Sequence, residues 1–326
     1  METIQAILIA IFFSMVPLTY AQQSLSPASL DAIQAYTGTG RITQGRAKTV
    51  TQSLLTCNQR HSRISAVGQI RDNQGQIWTV PAQQQFSSGP KATDLYNECT
   101  NVTPAGLAQV DISKVPVVNI DSDGEVIEGY IFADNYFELY INGKLIAVDP
   151  VPFTPFNSNL VRFRVSKPYD IAVKLVDWEE NLGLGTENSR GSAFHAGDGG
   201  FIASFSDGTV TNEQWRAQTF YIAPVYDLSC LTEQNNVRGS AKCKTNSTYE
   251  GENAFGIHWP LPAGWPNQGY DRNWPKATVF TEDEIGVKNK RAYMNFREQF
   301  AGVGAQFIWS SNIVLDNEVL LHYRVQ

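Results

Sequence analysis

Residues 129–148 read GYIFADNYFELYINGKLIAV. Phe137, Leu139 and Ile141 alternate with Tyr136, Glu138 and Tyr140, the period of a strand whose two faces meet different surroundings. Asn142-Gly143 follows, a pair suited to a type I′ turn because both central residues of that turn need φ > 0. A two-residue turn sets Ile141 opposite Lys144, Leu139 opposite Ile146 and Phe137 opposite Val148, which makes one face of the hairpin continuously apolar. Such a face requires a second sheet to cover it. The expectation is an all-β chain built as a β-sandwich.

Working outward, strand signals are dense from Val115 onward. Val115 to Ile120 leads to a turn at Asp121-Ser122-Asp123-Gly124 and then to the hairpin. Val161 to Val165 and Ile171 to Leu175 alternate cleanly, with Pro150, Pro152 and Pro155 in the loop before them, where no ladder hydrogen bond can be donated. Asn181 to Gly200 carries six glycines and reads as a long irregular loop. Phe201 to Phe205, a turn at Asp207-Gly208 and Trp215 to Ile222 resume the sheet. Short strands at this spacing, with almost no helix signals, are the pattern of a sandwich.

Upstream, residues 22–114 are more polar. Strand signals fall at Lys48 to Leu55, Ile64 to Ile70 and Ile77 to Val80, and Gln83 to Pro90 is a loop. Ser26 to Tyr36 reads as one short helix with Ser26 as its N-cap and Pro27 in its first turn. The region is expected as a small β-rich N-terminal lobe or as an extension of the sandwich formed by residues 115–326.

The chain has 326 residues, 42% of them hydrophobic, enough for one large core or two modest ones. Its formal net charge is −7 and it has no Lys/Arg run, so nucleic acid is not an expected partner. Ile4 to Val16 is apolar apart from Gln5 and Ser14, and Thr19-Tyr20-Ala21 supplies a small residue for cleavage. Residues 1–21 therefore read as a secretory signal peptide, although Glu2 stands where a basic residue is usual. No later segment is long and apolar enough to span a membrane. Cys57, Cys99, Cys230 and Cys243 lie beyond the signal and suggest two disulfides in an oxidising compartment. Pairing within each region gives Cys57 with Cys99 and Cys230 with Cys243. Asn101 and Asn246 begin sequons that would carry glycans in a eukaryotic secretory pathway.

ADNYFELYINGKLI (133–146), DIAVKLVDW (170–178) and FSDGTVTNEQWRA (205–217) resemble the galactose-binding-like β-sandwich modules appended to secreted glycoside hydrolases. YDRNWPKATVF (270–280) and AQFIWSSN (305–312) resemble two further segments of the same modules. The resemblance covers roughly residues 115–326 and implies an eight-stranded jelly roll, often carbohydrate-binding and sometimes structural. The long Gly-rich loop and a two-cysteine insertion between Ile222 and Trp274 depart from the pattern.

Several groups could carry chemistry. Trp259, Trp265 and Tyr270 lie on a proline-rich stretch and could stack on sugar faces, or else plug an open end of the sandwich. For stacking, Trp259 and Trp265 must be partly exposed, with Trp274 and Trp309 in the core. Asp134 and Asn135, with Lys144, could bond sugar hydroxyls or could satisfy local backbone donors. Asp121, Asp123, Glu125 and Glu128 could form a calcium loop or a solvated hairpin turn, and His195, Asp198 and Glu187 form a second set of oxygen and nitrogen ligands. No cofactor is expected beyond a structural calcium ion. No G-x-S-x-G, H-E-x-x-H or P-loop occurs. The expected function is a secreted, non-catalytic protein that binds an extracellular glycan or surface protein through loop aromatics. The alternatives are a structural surface-assembly protein and a glycan-active hydrolase with its site between the two regions.

Overall fold

The computed structural model describes residues 26–55, 57, 63–152, 156–188, 194–245, 251–267, 269 and 273–326. The signal segment, Tyr270 and Asn246 lie outside the described residues. The strands in chain order are β1 (Arg41–Gln44), β2 (Lys48–Thr51), β3 (Val67–Arg71), β4 (Ile77–Val80), β5 (Thr93–Tyr96), β6 (Val117–Asn119) and β7 (Glu125–Asp134). Next come β8 (Tyr136–Ile141), β9 (Lys144–Val148), β10 (Ser158–Val165), β11 (Tyr169–Val176), β12 (Gly200–Phe205) and β13 (Arg216–Val225). The last are β14 (Thr232–Gln234), β15 (Val237–Gly239), β16 (Phe255–His258), β17 (Thr278–Phe280), β18 (Phe307–Trp309) and β19 (Asp316–Val325).

Two large sheets face each other. The first runs β1-β16-β13-β19-β11-β8-β9, and the second runs β17-β18-β12-β7-β10-β5 with β6 beside β10. Phe137, Leu139, Ile141, Val173 and Leu321 from the first sheet share one core with Ile131, Phe163, Phe201 and Trp309 from the second. That shared core makes the fold a β-sandwich. Its outer faces are also covered. Residues 285–307 pack Tyr293, Phe296 and Phe300 over Phe132 and Leu160, while Trp259, Trp265 and Trp274 cover Ala172, Phe220 and Leu320. Strands covered on both sides lose the polar-out pattern, and all eight residues of β11 are buried.

The hairpin forms with the expected turn, Asn142 at φ 47° and Gly143 at φ 76°. Its register differs from expectation beyond the first pairs. Ile141 faces Lys144 and Tyr140 faces Leu145, but Leu139 faces Ala147 and Glu138 faces Val148. A bulge inserts Ile146 as the extra residue, which lets both Ile146 and Ala147 reach the core. The strand expected over Val115 to Ile120 shortens to β6, which pairs parallel with β10.

Residues 22–114 are woven into the sandwich while also forming a small sheet of their own. β1 extends the first sheet beside β16, β5 extends the second beside β10, and β2-β3-β4 stand apart. A helix, α1 (Pro27–Ala35), begins as expected, with the Ser26 hydroxyl accepting from the Ser29 amide. Disulfides join Cys57 to Cys99 and Cys230 to Cys243. Among the described residues no helix is long and apolar enough to cross a membrane.

Candidate functional site

At one end of the sandwich β7 leaves the second sheet at Asp134 and the chain enters the first sheet as β8. β11 ends beside it at Val176, because Val176 pairs with Tyr136. β12 begins there too, with Gly200 opposite Asp134. The Gly-rich stretch between β11 and β12 therefore has both its ends at this place. It folds back on itself where Glu187 and His195 exchange two backbone hydrogen bonds of 2.7 and 2.9 Å. Carboxyl groups from three segments thus converge: Asp134 from β7, Asp177 from the end of β11, and Glu187 and Asp198 from the loop.

Positively charged groups border the cluster. Arg63 Nη1 lies 2.8 Å from the Glu187 carboxylate, and Arg63 Nε lies 3.8 Å from that of Glu180. His195 Nε2 stands 3.6 Å from Glu187. Lys290 and Arg63 both pull down the proton affinities of Asp134 and Asp198 electrostatically, yet burial and mutual repulsion win. Asp134 and Asp177 are pushed well above the usual carboxylate range, and Asp198 is raised to about 6. Burial is the largest cause for each, followed by the negative charges of the neighbours.

Asp177 is distinctive. It is 5% exposed, and among the described residues no donor reaches its carboxylate. Asp72, Glu138, Glu179 and Asp316 each accept at least two hydrogen bonds, and Asp149 accepts two on Oδ1 while its Oδ2 has no partner. Gly197 marks the space in front of Asp177. A Cβ added there would sit 3.2 and 3.3 Å from the Asp177 oxygens and 3.3 Å from the Glu187 carboxyl carbon.

Glu179 supports this end from beneath. It accepts from the amides of Gly183 and Gly185 and from the Tyr221 hydroxyl, and so holds the start of the loop. Gly183 and Gly185 have φ of 85° and 60°, values that glycine reaches without a Cβ penalty.

The groups singled out from sequence fare differently. Asp134, Glu187, His195 and Asp198 are brought together, joining two sets that the sequence kept apart. Asn135 takes a structural role: its Oδ1 accepts from the Trp178 amide at 2.7 Å and its Nδ2 donates to Asp134 at 2.6 Å. Lys144 lies elsewhere, donating to the Asn119 carbonyl. Asp121 is a turn residue whose carboxylate accepts from the Ser166 amide, while Asp123 and Glu125 are exposed. Among the described residues no three His, Cys, Asp or Glu side chains have the spacing of a metal centre. Asn101 is exposed and lines a polar cavity of 360 Å³ with Glu98 and Arg291.

The exposure expected of the loop tryptophans is corrected by the structure. Trp259 is 3% and Trp265 is 7% exposed. Trp259 donates to Glu233 and lies under the Arg238 guanidinium, 4.8 Å away. Trp265 meets Tyr140 edge-on at 5.0 Å, and its carbonyl lies 2.6 Å from His322 Nε2. They plug the outer face of the first sheet. Trp274 and Trp309 are buried, as expected.

Asp177, Arg63 and Lys290 escaped the sequence reading. Asp177 had a usable signal in Asp177-Trp178-Glu179-Glu180, an acidic run directly after a strand and before the glycines. Arg63 and Lys290 had none, since both arrive from distant parts of the chain. Comparison of the chain with protein-family models, curated proteins and solved structures finds no match.

Proposed function

We propose that this chain is a secreted β-sandwich of the galactose-binding-like, jelly-roll kind that binds carbohydrate at the carboxylate site. Asp177, Asp198 and Glu187 accept hydrogen bonds from ligand hydroxyls there. The observation that carries the reading is the Asp177 carboxylate, nine-tenths buried and without a described donor. Buried acceptors are almost always satisfied, and a ligand with several hydroxyls supplies the missing donors. Two disulfides and the apolar amino-terminal stretch support an extracellular setting. The buried tryptophans have no part in recognition.

A glycan array probed with the parent protein and with Asp177→Asn tests this. Glycans retained by the parent and lost by the variant are expected. A parent that retains none would leave the structural, surface-assembly reading in its place.

A second reading, hydrolysis, draws on one observation. The Asp177 and Glu187 carboxyls face the same point, where a Cβ on Gly197 would stand 3.2 Å from an Asp177 oxygen and 3.3 Å from the Glu187 carboxyl carbon, and a pair of carboxyls flanking the scissile bond is what glycoside hydrolysis requires. Release of reducing ends from polysaccharides, abolished by Glu187→Gln, would support it. No release from any polysaccharide that the protein binds would remove it.

A further inference from the structure

We propose that the ligand of the carboxylate site is a glycan bearing a free amine, a deacetylated amino sugar, whose ammonium group seats between Asp177 and Asp198. The inference rests on the carbohydrate reading and names the substrate class of the same site.

Three observations point to a cation with hydrogen atoms to give. First, Asp177 and Asp198 both lack a donor among the described residues, and Asp177 is 5% exposed. An ammonium offers three donors, whereas one hydroxyl offers a single donor. Second, among the described residues the carboxyls at the site outnumber the basic groups. Asp134 from β7, Asp177, Glu179 and Glu180 after β11, and Glu187 and Asp198 from the loop face Arg63, His195 and Lys290. Arg63 is committed to Glu187 and Glu180. A neutral sugar would leave burial and repulsion to hold the proton on Asp177, while an ammonium favours the ionised carboxylate and gives it charge-assisted hydrogen bonds. Third, the approach to Asp177 depends on an absent side chain, because a Cβ on Gly197 would stand 3.2 Å from its carboxylate. A compact amine can pass where an acetamido group is hindered. The carboxyls are not spaced to grip a metal ion, and an ammonium needs no closed coordination shell.

The test is calorimetric titration of the whole protein near neutral pH with three probes: a glucosamine tetramer, its fully N-acetylated counterpart, and tetralysine. The glucosamine tetramer should bind about tenfold or more tightly than the acetylated one. Asp177→Asn should erase that preference. Gly197→Ala, which leaves every charge in place, should weaken the glucosamine tetramer by a similar factor, with thermal unfolding confirming that both variants are folded. Equal or tighter binding of the acetylated tetramer overturns the amine assignment and leaves the carbohydrate reading standing. Binding of neither tetramer removes both. Tetralysine binding alone overturns the proposal in favour of a basic protein segment.

Discussion

At the scale of single residues, burial decides what each side chain does. Trp265 reads in sequence like an exposed loop ring because prolines flank it, but Tyr140 and His322 enclose it. Trp265→Ala should therefore cost ~3–5 kcal/mol, as core tryptophans do, and a denaturant titration reads this directly. A loss below 1 kcal/mol would mean that the ring is not part of the packed layer. The carboxyls predict a pH dependence. Glu179 is raised to about 7 and Asp198 to about 6, with Asp134 and Asp177 displaced the same way. Folded-state values above unfolded ones mean that the folded chain binds more protons. The stability these groups contribute is therefore complete below pH ~4 and is lost as pH rises to ~7. Unfolding midpoints across that window should fall, and Asp177→Asn should flatten the fall and raise the midpoint at neutral pH. A midpoint that rises from pH 4 to 7 would contradict the burial of these groups.

Among elements, the hairpin separates what local sequence encodes from what packing adds. Asn142-Gly143 was legible because a type I′ turn constrains two residues and only a few residue types tolerate it. The bulge at Ile146 was not, since it answers to the opposite sheet: Ile146 and Ala147 both join the shared core. Strands β8, β10 and β11 were likewise readable from alternation, whereas β19, between β13 and β11, was not. The outer coverings were not, because residues 285–304 have no strand period. Gly143→Val should destabilise by more than the roughly 1 kcal/mol typical of point substitutions. A β-branched residue is strained at φ 76°, and its Cβ would also meet the Asn267 side chain at 2.1 Å. Unchanged thermal unfolding would rule out this turn.

For the whole molecule, the candidate site is a product of topology. Residues 63, 134, 177, 187, 198 and 290 meet because two sheets end together and a long loop returns between them, and no local window of sequence contains that fact. Half of the set, Asp134, Glu187 and Asp198, was visible as polar residues at strand or loop positions, but as two unrelated groups. The disulfides bear on the same long-range order. Cys57–Cys99 closes a separation of 42 residues and Cys230–Cys243 one of 13. Loop-closure entropy assigns them about 4 and about 3 kcal/mol, the longer loop gaining more. The first also fixes Cys57, six positions before Arg63 in sequence, to Cys99, which lies three residues after β5. Replacing Cys57 and Cys99 together by Ser should thus lower the denaturation midpoint more than replacing Cys230 and Cys243. It should also weaken ligand binding in proportion to the loss of the Arg63–Glu187 pair, as Arg63→Ala would. If the double substitution lowers stability while binding matches the parent, Arg63 is held by the ion pairs alone and the disulfide serves only the fold.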